Sequence, residues 1–421
     1  MKKIGIIGLG VVGEGTLSSL LKYRSLIKKR TALSFQVKTV CDINAGRKKL
    51  VPYSKIAFTT KAEDIINDPE IDVVVELIGG IQPAKKFIIA ALQKGKDVVT
   101  ANKALLAREG KEIFARARDL GCNIGFEASV CGAIPLIKSI SQGLVGCEVK
   151  CLHGILNGTT NYILSKMHKD GLTFSQALKE AQQKGYAEMK PDLDIAGKDT
   201  LHKLCILSYL SFGFWPDPDK LYTEGISRIT PLDIAYTEEF SYRIKLLAIA
   251  RKKGSSLSLR VHPTLIKADH PLAEVSSAFN GVWMDTYPAG ELLFYGEGAG
   301  GVPTSSAIIS DIVNVSLKAK MPLIKEEKLE LGEISDLKTR FYIRFMALDR
   351  PGVLAEISRI LSRHKVSIAS VAQKERNKGK LVPIVMLTHE TREEDLRKAL
   401  AKIDDLEMIK GPSQSIRIED I

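Results

Sequence analysis

Three groups of residues in this chain have types and spacings that could do chemistry. Gly8, Gly10 and Gly13 stand in the run Gly8-Leu9-Gly10-Val11-Val12-Gly13, directly after the apolar stretch KKIGII. In such a turn the first glycine permits a tight bend, the second lets the main chain approach a pyrophosphate, and the third lets helix pack closely on strand. The helix that follows offers unpaired N–H groups and a positive dipole end to phosphates. Strand, turn and helix signals occur in that order, which points to a bound dinucleotide rather than a chance glycine turn. The second group is Lys103, which follows the apolar run DVVT. It therefore falls at the carboxyl edge of a sheet, where open α/β sheets bind ligands. In the third group, Asp199 and Lys203 are four apart in a helical stretch and share a face. Taken alone that spacing describes an exposed ion pair worth only about 0.3–0.5 kcal/mol.

Two other clusters have residue types that could do chemistry. Asp42, in VCDINAGRKK, could accept ribose hydroxyls, whereas Arg47, Lys48 and Lys49 could pair with a 2′-phosphate. Both readings stand, so NAD and NADP are both open. Cys147, Cys151 and His153 alternate along one strand-like segment. At a rise of roughly 3.3 Å per residue the two sulfurs would be about 13 Å apart. One zinc holds its ligands at about 2.0–2.3 Å, so these residues do not share a metal.

The elements that would carry these residues fall into three regions. From Met1 to Pro135, short apolar runs alternate with helical stretches, the pattern of a parallel sheet covered on both faces. This is the α/β, doubly wound dinucleotide-binding domain, completed by a segment at about 300–320. Residues 136–330 read as a mixed α+β region, with a strand-like EVKCLHGILN, helices near 173–184 and 199–212, and strand-like patches at 257–265 and 292–295. A charged connector follows. Residues 340–421 then read strand–helix–strand–strand–helix–strand, the split βαβ pattern of a ferredoxin-like domain. If that last unit is detachable, deleting it should leave activity intact.

Bulk properties narrow the partners. With 421 residues the chain is long enough for two or three domains. Its net charge of +12 is dispersed, and aromatic residues are only 6% of the chain, so no nucleic-acid surface is expected. No stretch approaches the roughly 20 apolar residues of a membrane span. Glycines interrupt the apolar N-terminal run, and six cysteines form no disulfide framework, so a cytoplasmic protein is expected.

The blocks VVVELIGG (73–80), VVTANKALLA (98–107), GFEASVCGAIP (125–135), GILNGTTNYIL (154–164), GYAE (185–188), the Asp194–Asp199 run and YGEGAGGVPTSSA (295–307) resemble the homoserine dehydrogenase family in order and spacing. The resemblance covers about residues 1–320. It implies a reversible NAD- or NADP-linked interconversion of L-homoserine and L-aspartate 4-semialdehyde, in threonine, methionine and isoleucine biosynthesis. It also implies that Glu188 and Asp199 bind the substrate with support from Asp194. Lys203 is then the proton donor in preference to Lys103, although spacing does not decide between them. Cofactor contacts are implied at Val11, Val12, Lys103, Gly185 and Gly300 as well as at the glycine turn. A monovalent cation such as sodium is implied at Glu127, Val130, Gly132 and Ile134. Ala133 and Lys190 depart from the family pattern, which has a second glycine and an acidic residue there.

The segment YIRFMALDRPGVLAEIS, with VSIASVAQ downstream, resembles an ACT domain. That resemblance implies an amino-acid effector, threonine by preference, held at Asp349, Gly352 and Gln373, and a homodimer or homotetramer. Two other functions compete: a catalytically silent amino-acid sensor, and an oxidoreductase for a different amino-acid semialdehyde. The presence of Lys103, Glu188, Asp199 and Lys203 together ranks the enzyme above the sensor.

Overall fold

The computed structural model describes residues 1–52, 55–318, 324–374 and 380–421. Residues 319 and 320, at the end of the expected completing segment, lie outside the described residues.

Six short strands build the first sheet: β1 (Lys2–Ile7), β2 (Phe35–Cys41), β3 (Ala57–Thr59), β4 (Val73–Glu76), β5 (Asp97–Thr100) and β6 (Ile124–Gly125). All are parallel, in the order β3-β2-β1-β4-β5-β6. Apart from the edge strand β3, their side chains are largely buried on both faces, as expected of a doubly wound sheet. Ile4 and Ile6 point into a layer formed by the helices Val11–Lys22 and Gly301–Ser316. Ile7, Val74 and Val98 point into the opposite layer, against Ala84–Gln93 and Lys103–Asp119. The strand order reverses between β1 and β4, which opens a crevice at their carboxyl ends.

The second sheet contains twelve strands among the described residues. Its first half runs Gly290–Glu297, Phe279–Tyr287, Glu148–Ile155, Tyr242–Lys253, Ser256–Lys267. The helices Gly158–Asp170 and Lys198–Phe212 cover one face of this half. Its second half runs Gln414–Ile418, Lys338–Leu348, Leu381–Thr388, Ile368–Ala372, with the helices Val353–Arg363 and Glu393–Asp404 packed on it. The connectivity of this half is the split βαβ pattern read from the sequence. The two halves are one sheet, because Thr264 and Leu265 pair in parallel with Arg417 and Ile418.

Buried charge reinforces that seam. Asp233 is 0% exposed; it caps its own helix and accepts from Arg344 Nε at 2.6 Å and from the Tyr342 hydroxyl at 3.1 Å. Glu419 is paired with Arg260 and, at 3.4 Å, with Arg251. Among the described residues, no helix is long and apolar enough to cross a membrane.

Candidate active site

The glycine turn is a cradle that any side chain would fill. A Cβ at Gly13 would lie 2.1 Å from the Gly8 carbonyl oxygen, and one at Gly8, whose φ is +100°, would meet the Leu77 carbonyl at 2.7 Å. The helix Val11–Lys22 has no side-chain cap at Gly10, so its first N–H groups remain available to a phosphate. Asp42 closes the turn from the end of β2. Its carboxylate accepts from the Leu9 N–H at 2.8 Å and the Asn44 N–H at 2.9 Å. Arg47 donates to the Leu9 carbonyl and lies 3.8 Å from Asp42, so its guanidinium sits at the mouth of the crevice. Gly301 rests against Val11, where a Cβ would meet the Val11 carbonyl at 2.9 Å. The loop carrying Gly300, whose φ is +127°, therefore returns to the glycine turn.

Lys103 opens the helix after β5, with Asn102 as its cap through a hydrogen bond from the Leu105 N–H at 3.1 Å. Across the crevice stands the first turn of Lys198–Phe212. Asp199 and Lys203 share its face as the spacing predicts, but they are buried, 6% and 8% exposed, rather than solvated. Asp199 bridges both lysines: Oδ2 lies 2.7 Å from Lys203 Nζ and Oδ1 3.0 Å from Lys103 Nζ. Lys203 also donates to the Leu156 carbonyl at 2.5 Å. Burial alone would raise the Asp199 carboxyl, but the two lysines overcome it and hold that group well below the usual carboxylate range. The Asp199 charge in turn raises the Lys103 ammonium against the opposing effect of burial, with smaller help from Asp194 and Glu188.

Asn157 joins this site without having been singled out in the sequence. Its amide donates to Asp194 at 2.7 Å and to Asp199 at 2.9 Å. Its side-chain oxygen caps the helix Gly158–Asp170 through the Thr160 N–H at 2.8 Å. An asparagine before a new helix is a cap signal readable in the sequence; its second role, across 37 and 42 residues, is not. Burial raises the Asp194 carboxyl, and the Asp199 charge pushes it the same way. Glu188 is exposed, on the loop after Phe174–Gln183, and its charge reaches Lys103. Two ammoniums thus face three carboxylates, an excess of one negative charge. Gly185 lies on the same loop with φ +75° and nothing within 4 Å of a built Cβ.

The four residues expected to hold a cation largely through backbone carbonyls lie on one loop, and two of them accept internal hydrogen bonds. The Glu127 carboxylate accepts from the Ile137 and Lys138 N–H groups at 2.7 and 3.0 Å, and the Ile134 carbonyl accepts from Leu136 N–H at 2.7 Å. Among the described residues, no backbone N–H donates to the Val130 or Gly132 carbonyl. In the second half of the large sheet, the Asp349 and Arg350 N–H groups are engaged by the Lys380 and Leu348 carbonyls. Gly352, at φ +93°, precedes the helix Val353–Arg363, and Gln373 is exposed beyond the strand Ile368–Ala372. No group of three or more metal-ligating side chains occurs among the described residues, Cys147, Cys151 and His153 included.

A dinucleotide cradle and a lysine–carboxylate centre at the carboxyl ends of a doubly wound sheet define a nicotinamide-linked oxidoreductase. Comparison with known proteins narrows the class. Residues 8–127 match the family model described as homoserine dehydrogenase, NAD binding domain; residues 135–313 match homoserine dehydrogenase; and residues 341–407 match the ACT domain. A homoserine dehydrogenase of Pseudomonas aeruginosa is 41% identical over 431 residues, covering 100% of this chain and 99% of its own. One from Bacillus subtilis is 35% identical, covering 99% and 98%. The crystal structure of a homoserine dehydrogenase from Thiobacillus denitrificans superposes with a TM-score of 0.93 at 42% identity, over 100% of this chain and 98% of that one. The chain belongs to the homoserine dehydrogenase family, with an NAD-binding domain, a catalytic domain and an ACT domain.

Proposed function

We propose that this chain interconverts L-homoserine and L-aspartate 4-semialdehyde with NADPH as the preferred cofactor, and that Lys203 handles the proton. One observation carries the reading: a single buried carboxylate, Asp199, holds two lysine ammoniums at the carboxyl edge of the sheet. When bound, the nicotinamide supplies or takes the hydride. In the direction of reduction, negative charge grows on the aldehyde oxygen. An ammonium aimed at that oxygen stabilises the charge and gives up a proton. Lys203 suits the donor role because it is the more buried of the two; Lys103, half-exposed, faces cofactor and substrate. Three of the roughly four lone-pair sites on Asp199 are already engaged by Lys103, Lys203 and Asn157. Glu188 and Asp194 are therefore the main receptors for the substrate ammonium, and Asp199 orients the lysines.

The NADPH preference is supported by the posture of Asp42, whose two oxygens serve main-chain N–H groups, and by Arg47 beside it. A monovalent cation would draw on the Val130 and Gly132 carbonyls, oxygen donors of the kind a hard cation takes. An amino-acid effector, threonine in the first instance, would place its carboxylate on the first N–H groups of the helix Val353–Arg363, after Gly352. Reduced-cofactor absorbance with homoserine, set against other hydroxy-amino acids, tests the activity. Turnover confined to a different hydroxy-amino acid would replace the substrate reading. Lys203→Ala should abolish turnover and leave cofactor binding intact; unchanged turnover would remove Lys203 from the mechanism.

A further inference from the structure

The segment that carries Asp194 and Asp199 is held from behind by main chain. Gly225 lies against it so closely that a Cβ there would stand 2.1 Å from the Ile195 carbonyl oxygen and 2.7 Å from the Ala196 Cα. The Ile226 N–H donates to that same Ile195 carbonyl at 3.0 Å. Gly197, at φ +81°, packs on Thr223 and Val261, and Glu224 N–H donates to the Val261 carbonyl at 2.8 Å. Residues 222–226 thus form a backing plate for the turn between the two catalytic-site carboxylates.

One side chain from the far half of the large sheet fixes that plate. Arg417, on the strand Gln414–Ile418, is 6% exposed. Its Nη1 donates to Glu224 Oε2 at 3.0 Å, and its Nη2 to the Tyr222 hydroxyl at 2.9 Å. The guanidinium also lies over the Tyr222 ring, 4.7 Å from its centroid, and the Tyr222 hydroxyl donates to Glu224 at 2.8 Å. The remaining edge of the fork grips Glu393, at 2.8 and 2.6 Å, on the first turn of the helix Glu393–Asp404. A bidentate guanidinium has a fixed plane, so it transmits position as well as charge.

We propose that Arg417 is a positioning residue for the reaction: through Tyr222 and Glu224 it sets residues 222–226, and through them the Asp194–Asp199 turn that orients both lysines. The ACT half of the sheet thereby takes part in shaping the active site, whether or not an effector is bound. This inference rests on the reading of Asp194 and Asp199 as site residues.

The experiment uses the full chain with Arg417→Met, Glu224→Met, Glu224→Gln and the double variant Arg417→Met/Glu224→Met. Displacing reacting groups by about 1 Å costs on the order of 100-fold, so a partial loosening should lower kcat by about tenfold. The KM for cofactor and the cofactor dissociation constant should stay unchanged, since the glycine turn is not touched. Glu224→Gln, which keeps one acceptor oxygen, should recover most of the rate. The double variant should be no slower than the worse single one, because both act through one contact. A kcat within about twofold of wild type, measured well below the unfolding temperature, would overturn the proposal. So would a double variant whose losses multiply. If Arg417→Met does not fold, the two Glu224 variants decide. Asp199→Asn separates the two readings: full turnover in that variant defeats the site itself, whereas lost turnover there with unaffected Glu224 variants defeats only the role of Arg417.

Discussion

Asp199→Asn removes one negative charge and almost no volume from the centre of the site. At an effective dielectric of about 20, a pair of unit charges near 4 Å attracts by about 4 kcal/mol before desolvation is counted. Stripping one partner from a buried pair costs about 3–5 kcal/mol. Lys103 is 41% exposed, so its share is screened and is discounted. Lys203, close to fully buried, dominates, and the expected loss is about 3 kcal/mol. For a chain of 421 residues, at about 2.1 cal/mol/K of unfolding entropy per residue, that corresponds to a fall of about 3–4 °C in apparent Tm. The pH dependence has a definite sign. The Asp199 carboxyl is held low, so its stability contribution is complete above about pH 4 and is lost as pH falls further. The Lys103 ammonium is raised, so its contribution is complete below about pH 10 and is lost as pH rises beyond that. The gap between wild type and variant should be flat from about pH 5 to about pH 9. Turnover should fall by about 100–1,000-fold, as it does when a group that organises charge stabilisation is lost. Differential scanning fluorimetry over that pH range, alongside steady-state rates, tests both. A variant with wild-type Tm and rate would refute the claim that this carboxylate holds the lysines.

Gly13→Ala should abolish cofactor binding, since its Cβ would stand 2.1 Å from the Gly8 carbonyl; quenching of nicotinamide fluorescence would read the loss directly. Arg47→Ala should raise the KM for NADPH about tenfold and leave that for NADH unchanged, because one charged contact to phosphate is worth about 1.4 kcal/mol or more. Burial pushes the Asp311 carboxyl up to about 7, against the pull of Lys138. The folded chain therefore keeps a proton that the unfolded chain has shed, and stability declines as pH rises from about 4 to about 7. Asp311→Asn should remove that decline and gain about 2 kcal/mol at pH 8 relative to pH 5, as followed by urea unfolding. Deleting residues 340–421 should lower both stability and turnover, contrary to what the sequence suggests for a detachable unit. The cut strips Gln414–Ile418 from its partner strand and leaves Asp233 and Arg260 without Arg344 and Glu419. Retained activity in a soluble fragment would refute this.

Local signals carried much of this reading. The glycine turn is legible because bend, close approach and helix packing all fall within six residues. The Asp199–Lys203 pair is legible because a four-residue spacing fixes a shared helix face, although the burial that turns a weak surface pair into a strong one is set elsewhere. The contribution of Asn157 depends on a helix start meeting a turn 37–42 residues away, which no window along the chain detects. The strands Tyr242–Lys253 and Phe279–Tyr287 are hidden in the sequence for a different reason. The central residues of each face buried layers on both sides, so the run RIKLLAIARKK lacks the alternation that marks a strand. The pairing of Thr264 with Arg417 joins segments more than 150 residues apart. Its only trace in the sequence is a set of buried charges that mean nothing until their partners are known.

That pairing has a mechanical consequence. A sensor joined by a flexible linker can swing without disturbing the enzyme it serves, and it reports by changing what it covers. Here backbone hydrogen bonds run from the ACT half directly into the strands of the other half. An amino acid bound at the far helices would have only small sliding movements of strand against strand to work with. Its influence on rate would then be graded, delivered as strain across a common plate, and opposed by the same buried ion pairs that hold the plate together.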